Sequence, residues 1–368
     1  MESQWKLFLL LLSLSSATSV VGSDQENIFA LELFKQVYSL ETTNNFALSP
    51  SIFRATLTLL YQIANWNVAT EMQQALLLPQ DRSEAATQLK TFLSKSIEDR
   101  QNFVVAAQLY RDPSELSLKF LTLLNGYLKP EVTLAPSSDP NTVITVSPKV
   151  INMPNYNLLV SSAFNLSAAW KNKFNPSDGR AGVFKFTTGY YQTHFMKQTA
   201  RFGIVKLDLF TALEMQYDWH SDLSMILVMP NDEDVPLATL VQQLNLDTYR
   251  TIDSQLRQRF VDVAIPKFSI DSNVQLGMSM ARMGMVSPFL ANAFDLYRFR
   301  GSGLGPVEQA GSINVLEGGT IATEDAPKDT LPTALLPVFR ADRPFLFLLR
   351  KRTSKEILVI GHYSHFTA

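Results

Sequence analysis

Residues 317 to 345 read EGGTIATEDAPKDTLPTALLPVFRADRPF. A glycine pair, Gly318 and Gly319, opens the stretch and permits backbone angles that other residues avoid. Pro327, Pro332 and Pro337 then discourage both helix and central strand. Two apolar runs follow, Phe345 to Leu349 and Ile357 to Ile360, and both read as strands. The pattern predicts a long loop, without structure of its own, leading from a hinge into a strand. Inside a compact chain such a loop is a functional element or a solvated linker.

The rest of the chain narrows the context. Lys6 gives a charged start, Leu7 to Leu12 is unbroken apolar, and Val21-Gly-Ser23 offers small residues for cleavage. Residues 1–23 therefore read as a signal peptide and predict export. The apolar run is too short to span a bilayer, and no later segment reaches the roughly 18 apolar residues a span needs. About 345 residues remain, enough for a large core, and no linker divides them. There are no cysteines, so packing rather than disulfides must hold an exported fold together. A net charge of −2 without a dense basic run gives no support to nucleic acid, heparin-like polymers or anionic membranes as partners.

Periodicity supplies the elements. Ser49-Pro50 followed by Ile52, Phe53, Leu57, Leu59, Leu60 and Ile63 predicts a buried helix, with Ser49 as its cap and Pro50 in its first turn. Leu116 to Leu128 is a second apolar-periodic helix. Asp81 to Arg100 mixes charges as a solvated helical face does. Met225 to Met229 reads as a buried strand stopped by Pro230. Pro236 opens a helix with Leu237, Leu240, Val241 and Leu244 on one face. Val261, Val263 and Ile265 alternate as a half-buried strand should. Helices and long strands in no regular alternation fit an α+β chain.

Several of these stretches carry a family resemblance. Glu317-Gly-Gly-Thr320, followed by Phe339-Arg-Ala-Asp-Arg-Pro-Phe345, resembles the reactive-centre loop of a serpin. Phe345 to Leu349 and Ile357-Leu-Val-Ile-Gly361 continue the likeness. So do Asn45 to Pro50, Ala106 to Tyr110, Ala163-Phe164 with Trp170, Phe174-Asn-Pro176, Asp222 to Pro230 and Ile265-Pro-Lys-Phe268, all in serpin order. The resemblance spans some 320 residues. It implies one serpin domain over 24–368, with three β-sheets, about eight helices and an exposed loop at 317–344.

The resemblance also implies a mechanism. In an inhibitory serpin a protease attacks the loop, and the cleaved loop inserts as a new central strand of the main sheet, dragging the protease with it. Insertion pairs a strand and buries apolar surface. Counting Glu317 as the seventeenth residue before the cut places the reactive bond at Thr333-Ala334. Thr333 is small and uncharged, which suits an elastase-like pocket better than a trypsin-like one. Leu335 is the next candidate.

The hinge comprises Glu317, Gly318, Gly319, Thr320, Ala322, Glu324, Asp325 and Pro327, and it departs from the family pattern. Strand residues alternate faces. The family turns the face of Thr320 inward, which carries Ala322 and Glu324 with it. Thr320 and Ala322 fit, but Glu324 would become a buried carboxylate, costing several kcal/mol. Asp325 has poor strand propensity, and Pro327 removes a ladder hydrogen bond.

The sheet-opening region, Ser49, Ile52, Ser162, Trp170 and Gln309, departs too. Ile52 replaces a usual serine, Gln309 a histidine and Ser162 an asparagine. Such changes leave partners unpaired or mark a repacked region, and either reading predicts relaxed opening machinery. The stretch from Val132 to Ser162, where serpins place a helix across the main sheet, holds Pro136, Pro140, Pro148 and Pro154, so a long helix is not expected.

Catalytic chemistry has no foothold. His194, His220, His362 and His365 fit no nucleophile or metal-ligand spacing. No enzyme activity, cofactor or metal is expected. The sequence therefore predicts a monomeric, exported serpin-family protein whose loop insertion is weak or lost, with a serine protease or another extracellular protein as partner. The alternative is a working suicide-substrate inhibitor of an elastase- or chymotrypsin-like serine protease. A small-ligand carrier is a third possibility, for which no pocket is visible in the sequence.

Overall fold

The computed structural model describes residues 24–98, 103–110, 158–166, 168–218, 221–290, 292–294, 303–318 and 336–366. Positions 1–23, the expected helix at Leu116 to Leu128, the proline-rich stretch up to residue 157 and the loop positions 319–335 lie outside the described residues. The last group includes Gly319, Thr320, Ala322, Glu324, Asp325, Pro327, Thr333 and Ala334.

The chain opens with a helix over residues 24–38 (α1). β1 (Phe46–Leu48), α2 (Pro50–Tyr61), α3 (Trp66–Ala75), α4 (Arg82–Glu98) and β2 (Phe103–Tyr110) follow. Strands then dominate: β3 (Leu158–Leu166), β4 (Arg180–Phe186), β5 (Gly189–Lys206), β6 (Phe210–Gln216) and β7 (Leu223–Pro230). After helices Leu237–Gln243 and Leu246–Gln255 come β8 (Arg257–Pro266), β9 (Phe268–Gln275), the short helix Gly277–Arg282 and β10 (Leu304–Val315). β11 (Val338–Arg340), β12 (Phe345–Lys351) and β13 (Ile357–Tyr363) close the fold. The α+β class is as the residues predict, with seven α-helices among the described residues.

The strands form two hydrogen-bonded sheets among the described residues. Four strands run β2-β3-β10-β9, and nine run β1-β13-β12-β7-β6-β5-β8-β11 with β4 added to β5. Three sheets were expected from the resemblance. Two of them count as one because β5 is 18 residues long and continuous. Its start pairs with β4, its end pairs with β6, and β8 lies along most of its other edge.

Helix α2 is buried almost throughout, as its apolar positions require. Ser49 stands at its N-cap position with Pro50 next, but the hydroxyl does not cap the helix. It donates to the Leu358 carbonyl on β13 at 2.8 Å. The expected capping role is corrected by tertiary contact: the buried Leu358 carbonyl of β13 needs a donor, and the Ser49 hydroxyl supplies it. β7 is buried along its whole length. Val261, Val263 and Ile265 on β8 are buried while Asp262 is exposed, as alternation predicts. Asn165, the acceptor of the lone glycosylation sequon, sits in β3 with strands paired on both sides.

Candidate functional site

Two places bear on the loop: its base at Glu317-Gly318, and the seam where β3 meets β10. β10 carries Val307, Gln309, Gly311, Ile313 and Val315 on its buried face and more exposed residues between them. The chain beyond it is gripped by the segment from Trp170 to Phe174. The Trp170 indole N–H donates to the Leu316 carbonyl at 3.0 Å. The Trp170 and Phe174 amides donate to the Gly318 and Glu317 carbonyls, both at 2.9 Å. Three consecutive carbonyls are thus held before the loop departs. The Glu317 carboxylate pairs with Lys267, which follows the end of β8. Trp170 stacks on Tyr217 at 4.3 Å and 18°, and burial pushes the Tyr217 phenol well above its ordinary pKa.

The seam is closed. β3 and β10 pair in parallel, with Val307 opposite Val160, Gln309 opposite Ser162 and Gly311 opposite Phe164. Gly311 has a specific reason to be glycine. A Cβ there would come within 2.6 Å of the Phe164 ring and 2.9 Å of the Ala47 carbonyl oxygen. The missing side chain lets the aromatic ring lie over β10 while β1 backs against it.

Beneath the seam Gln309 makes a two-point contact with one residue. Its Nε2 donates to the Ser49 carbonyl at 3.1 Å, and its Oε1 accepts from the Ser49 amide at 2.6 Å. Ile52 is buried in an apolar cluster with Ala47 and Phe164. Of the two consequences expected from these replacements, the packing shows the repacked one: the amide meets a backbone donor and acceptor, and Ile52 meets apolar atoms.

The structure therefore divides the predicted residues. Ser49, Ile52, Gln309 and the Ser162 backbone gather at the seam. Trp170 does not join them and sits with Glu317 and Gly318 at the loop base. Lys267, Gly311 and Phe164 were missed as site residues. A glycine inside an alternating strand signals close backbone approach, so Gly311 was readable in principle. Lys267 had only its place in the Ile265 to Phe268 motif.

Gln309→Ala should lower stability. The Ser49 carbonyl keeps its bond from the Phe53 amide at 3.1 Å, but the Ser49 amide is left buried without an acceptor, at about 1–3 kcal/mol. Urea unfolding reads this directly, and a loss below about 0.5 kcal/mol would mean that the contact contributes little.

The family model described as serpin (serine protease inhibitor) matches residues 24–147 and 144–366, and the chain belongs to that family. It is 24% identical to the leukocyte elastase inhibitor of Xenopus laevis over 91% of this chain and 97% of that protein. It is equally similar, 24%, to serpin B5 of the same frog, over 91% and 94%. A 30% match to probable serpin E3 of Danio rerio covers 56% of this chain and about half, 51%, of that relative. Among solved structures, SRPN18 of Anopheles gambiae superimposes with a TM-score of 0.77 at 21% identity, over 94% of this chain and 98% of that one. Human thyroxine-binding globulin gives 0.79 at 20%, over 95% and 100%. At these identities the structural likeness shows the fold.

Proposed function

We propose that this protein is an exported serpin whose loop is cut as an ordinary substrate, and that it acts by binding an extracellular partner rather than by trapping a protease. The observation that carries this is the run Thr323-Glu324-Asp325-Ala326-Pro327. To insert, that run must become a strand between β3 and β10, whose parallel ladder is closed across Gln309 and Gly311. The alternation that starts at Thr320 then turns the Glu324 carboxylate inward. A buried unpaired carboxylate costs several kcal/mol, and Pro327 breaks the new ladder. Slow insertion loses to hydrolysis of the acyl bond.

The second reading, inhibition of an elastase- or chymotrypsin-like serine protease at Thr333-Ala334, draws support from a loop of full family length between Glu317 and Pro344. The likeness to a leukocyte elastase inhibitor points the same way.

The experiment uses exported protein, whose chain should begin near Asp24, incubated with elastase-like and chymotrypsin-like proteases and run on a denaturing gel. The expected result is a clipped chain and free protease. A heat- and detergent-stable complex with either protease would overturn the substrate reading and establish the inhibitory one.

A further inference from the structure

The last described segment of the chain holds a hydrogen-bonded relay that neither reading of the loop uses. His362, on β13, and Ser364 are each 1% exposed. The Ser364 hydroxyl lies 2.9 Å from His362 Nδ1 and 2.9 Å from His365 Nδ1. His362 is packed edge-on against Tyr38 of α1 at 5.0 Å and Phe46 of β1 at 4.7 Å. Its Nε2 is buried with no hydrogen-bond partner among the described residues. Asn45 holds the segment from the side. Its Oδ1 accepts from the Ser364 and His365 amides at 2.8 and 2.9 Å, and its Nδ2 donates to the His365 carbonyl at 2.6 Å. The amide and hydroxyl of Thr187 both donate to the Ser364 carbonyl at 2.9 Å.

A hydroxyl has one proton to give. With both imidazoles neutral, Ser364 donates to one Nδ1 and accepts from the other, so each of its two hydrogen bonds has one donor and one acceptor. One added proton, taken up from solvent by the half-buried His365, makes its Nδ1 a donor. Ser364 must then donate to His362, whose own ring proton moves to Nε2, where it finds no acceptor. A second proton leaves Ser364 facing two donors and a cation buried between Tyr38 and Phe46.

We propose that His362, Ser364 and His365 form an acid-sensitive latch, in which protonation of the pair releases the segment from Ser364 to Phe366. Among the described residues, the side chains named here around the relay are uncharged. Tyr38 comes from α1, Phe46 from β1, and Leu346 of β12 stands opposite His362 in register. Thr187 and Asn45 contribute neutral polar groups, and a backbone hydrogen bond to Thr42 favours the charged form of His365 only in part. Among the described residues, the charge that acts on His362 is that of His365, and it is of like sign.

Burial, with His365 adding to it, holds His362 down at about 3, against 6.5 for a free imidazole. Burial also lowers His365. The sign follows: the latched state is fully favoured above 6.5 and loses stability as pH falls towards 3, because the released chain takes up protons that the latched one refuses.

Release has a visible consequence. Phe366 stacks flat on Tyr191 at 4.4 Å and 7° and meets Phe186 edge-on at 5.7 Å. Freeing it uncovers an aromatic surface that also includes Tyr363.

The test is a pH titration of the whole exported protein from 6.5 downward, following the fluorescence of an added anilinonaphthalene sulfonate dye together with far-ultraviolet circular dichroism. A several-fold, reversible rise in dye fluorescence with unchanged dichroism is expected. His362→Phe keeps a ring against Tyr38 and Phe46 and should stay dark throughout. Ser364→Ala removes the bridging hydroxyl and should be bright already at the neutral end, which gives a second arm if His362→Phe does not fold. A flat wild-type titration, a rise that His362→Phe shares, a rise that appears only as dichroism collapses, or a Ser364→Ala profile identical to wild type would each overturn the latch.

Discussion

Cutting the loop between Lys328 and Leu336 should leave the melting temperature of this protein nearly unchanged. In a serpin that inserts, the cut loop becomes a central strand and adds a ladder on each side, and the protein melts much higher. Here the strand would have to enter between β3 and β10. It would break their direct pairing and separate the Phe164 ring from Gly311, which now meet in close contact. It would also carry Glu324 into the sheet face and set Pro327 where a donor is required. A buried unpaired carboxylate alone costs several kcal/mol, which rivals the gain from one strand. Glu324→Ala with Asp325→Ala and Pro327→Ala removes these penalties and leaves the seam intact. The cleaved triple variant should then melt on the order of ten degrees above its uncut form, since one kcal/mol corresponds to about 2–4 degrees in a large domain. Scanning calorimetry of cut and uncut protein, wild type beside triple variant, decides the matter. A large rise already present in the wild type would promote the inhibitory reading to first place. No rise in the triple variant would place the barrier in the closed seam instead of the hinge.

Arg350→Met should destabilise the protein by about 3–5 kcal/mol. Arg350 lies in β12, 2% exposed, inside the larger sheet. It reaches Glu214 on β6 at 2.7 Å and Asp253 on the helix Leu246–Gln255 at 2.6 Å. Glu214 also accepts from the Ser224 hydroxyl at 2.9 Å, and Lys355 joins Asp253 at 3.0 Å. The guanidinium sits 5.9 Å from the centre of the Tyr249 ring. Burial works against the charge, but Tyr249 and Glu214 outweigh it and keep the group firmly protonated. Removing the cation strands Glu214, a nearly fully buried carboxylate. The penalty belongs to the orphaned partner more than to the lost attraction. Arg350→Met combined with Glu214→Gln should therefore recover most of the loss. Urea unfolding of the single and double variants checks both parts. A single variant within about 1 kcal/mol of wild type, or a double variant no better than the single, would refute the account.

Neither Arg350 nor its network was legible along the chain. It follows five apolar residues, and nothing in that run names a carboxylate 136 positions away as its partner. Gln309 is a similar case. A glutamine in an alternating strand suggests an unpaired or repacked interior, and only the fold brings the Ser49 backbone, 260 positions away, into register with both ends of its amide. Trp170 shows the same limit from the other side. Its order in the family pattern was readable, but not that it parts from Ser49 and Ile52 to hold the carbonyls of Leu316 and Gly318.

What the sequence by itself determined was everything carried by local period and composition: the buried α2, the buried run Met225 to Met229 of β7, the alternation in β8, and the order of motifs that marks the family. These are properties of neighbouring residues, and the period of 2 or 3.6 is imposed by the backbone wherever the chain lies. Only the tertiary structure decided that Ser49 serves β13 instead of capping its helix, that the long β5 joins two expected sheets into one, and that Gly311 is the seat of Phe164. Each of those depends on which distant group arrives at a buried atom. Burial makes an unmatched donor, acceptor or volume costly, so the partner is selected by the whole fold and leaves no mark on the residues beside it.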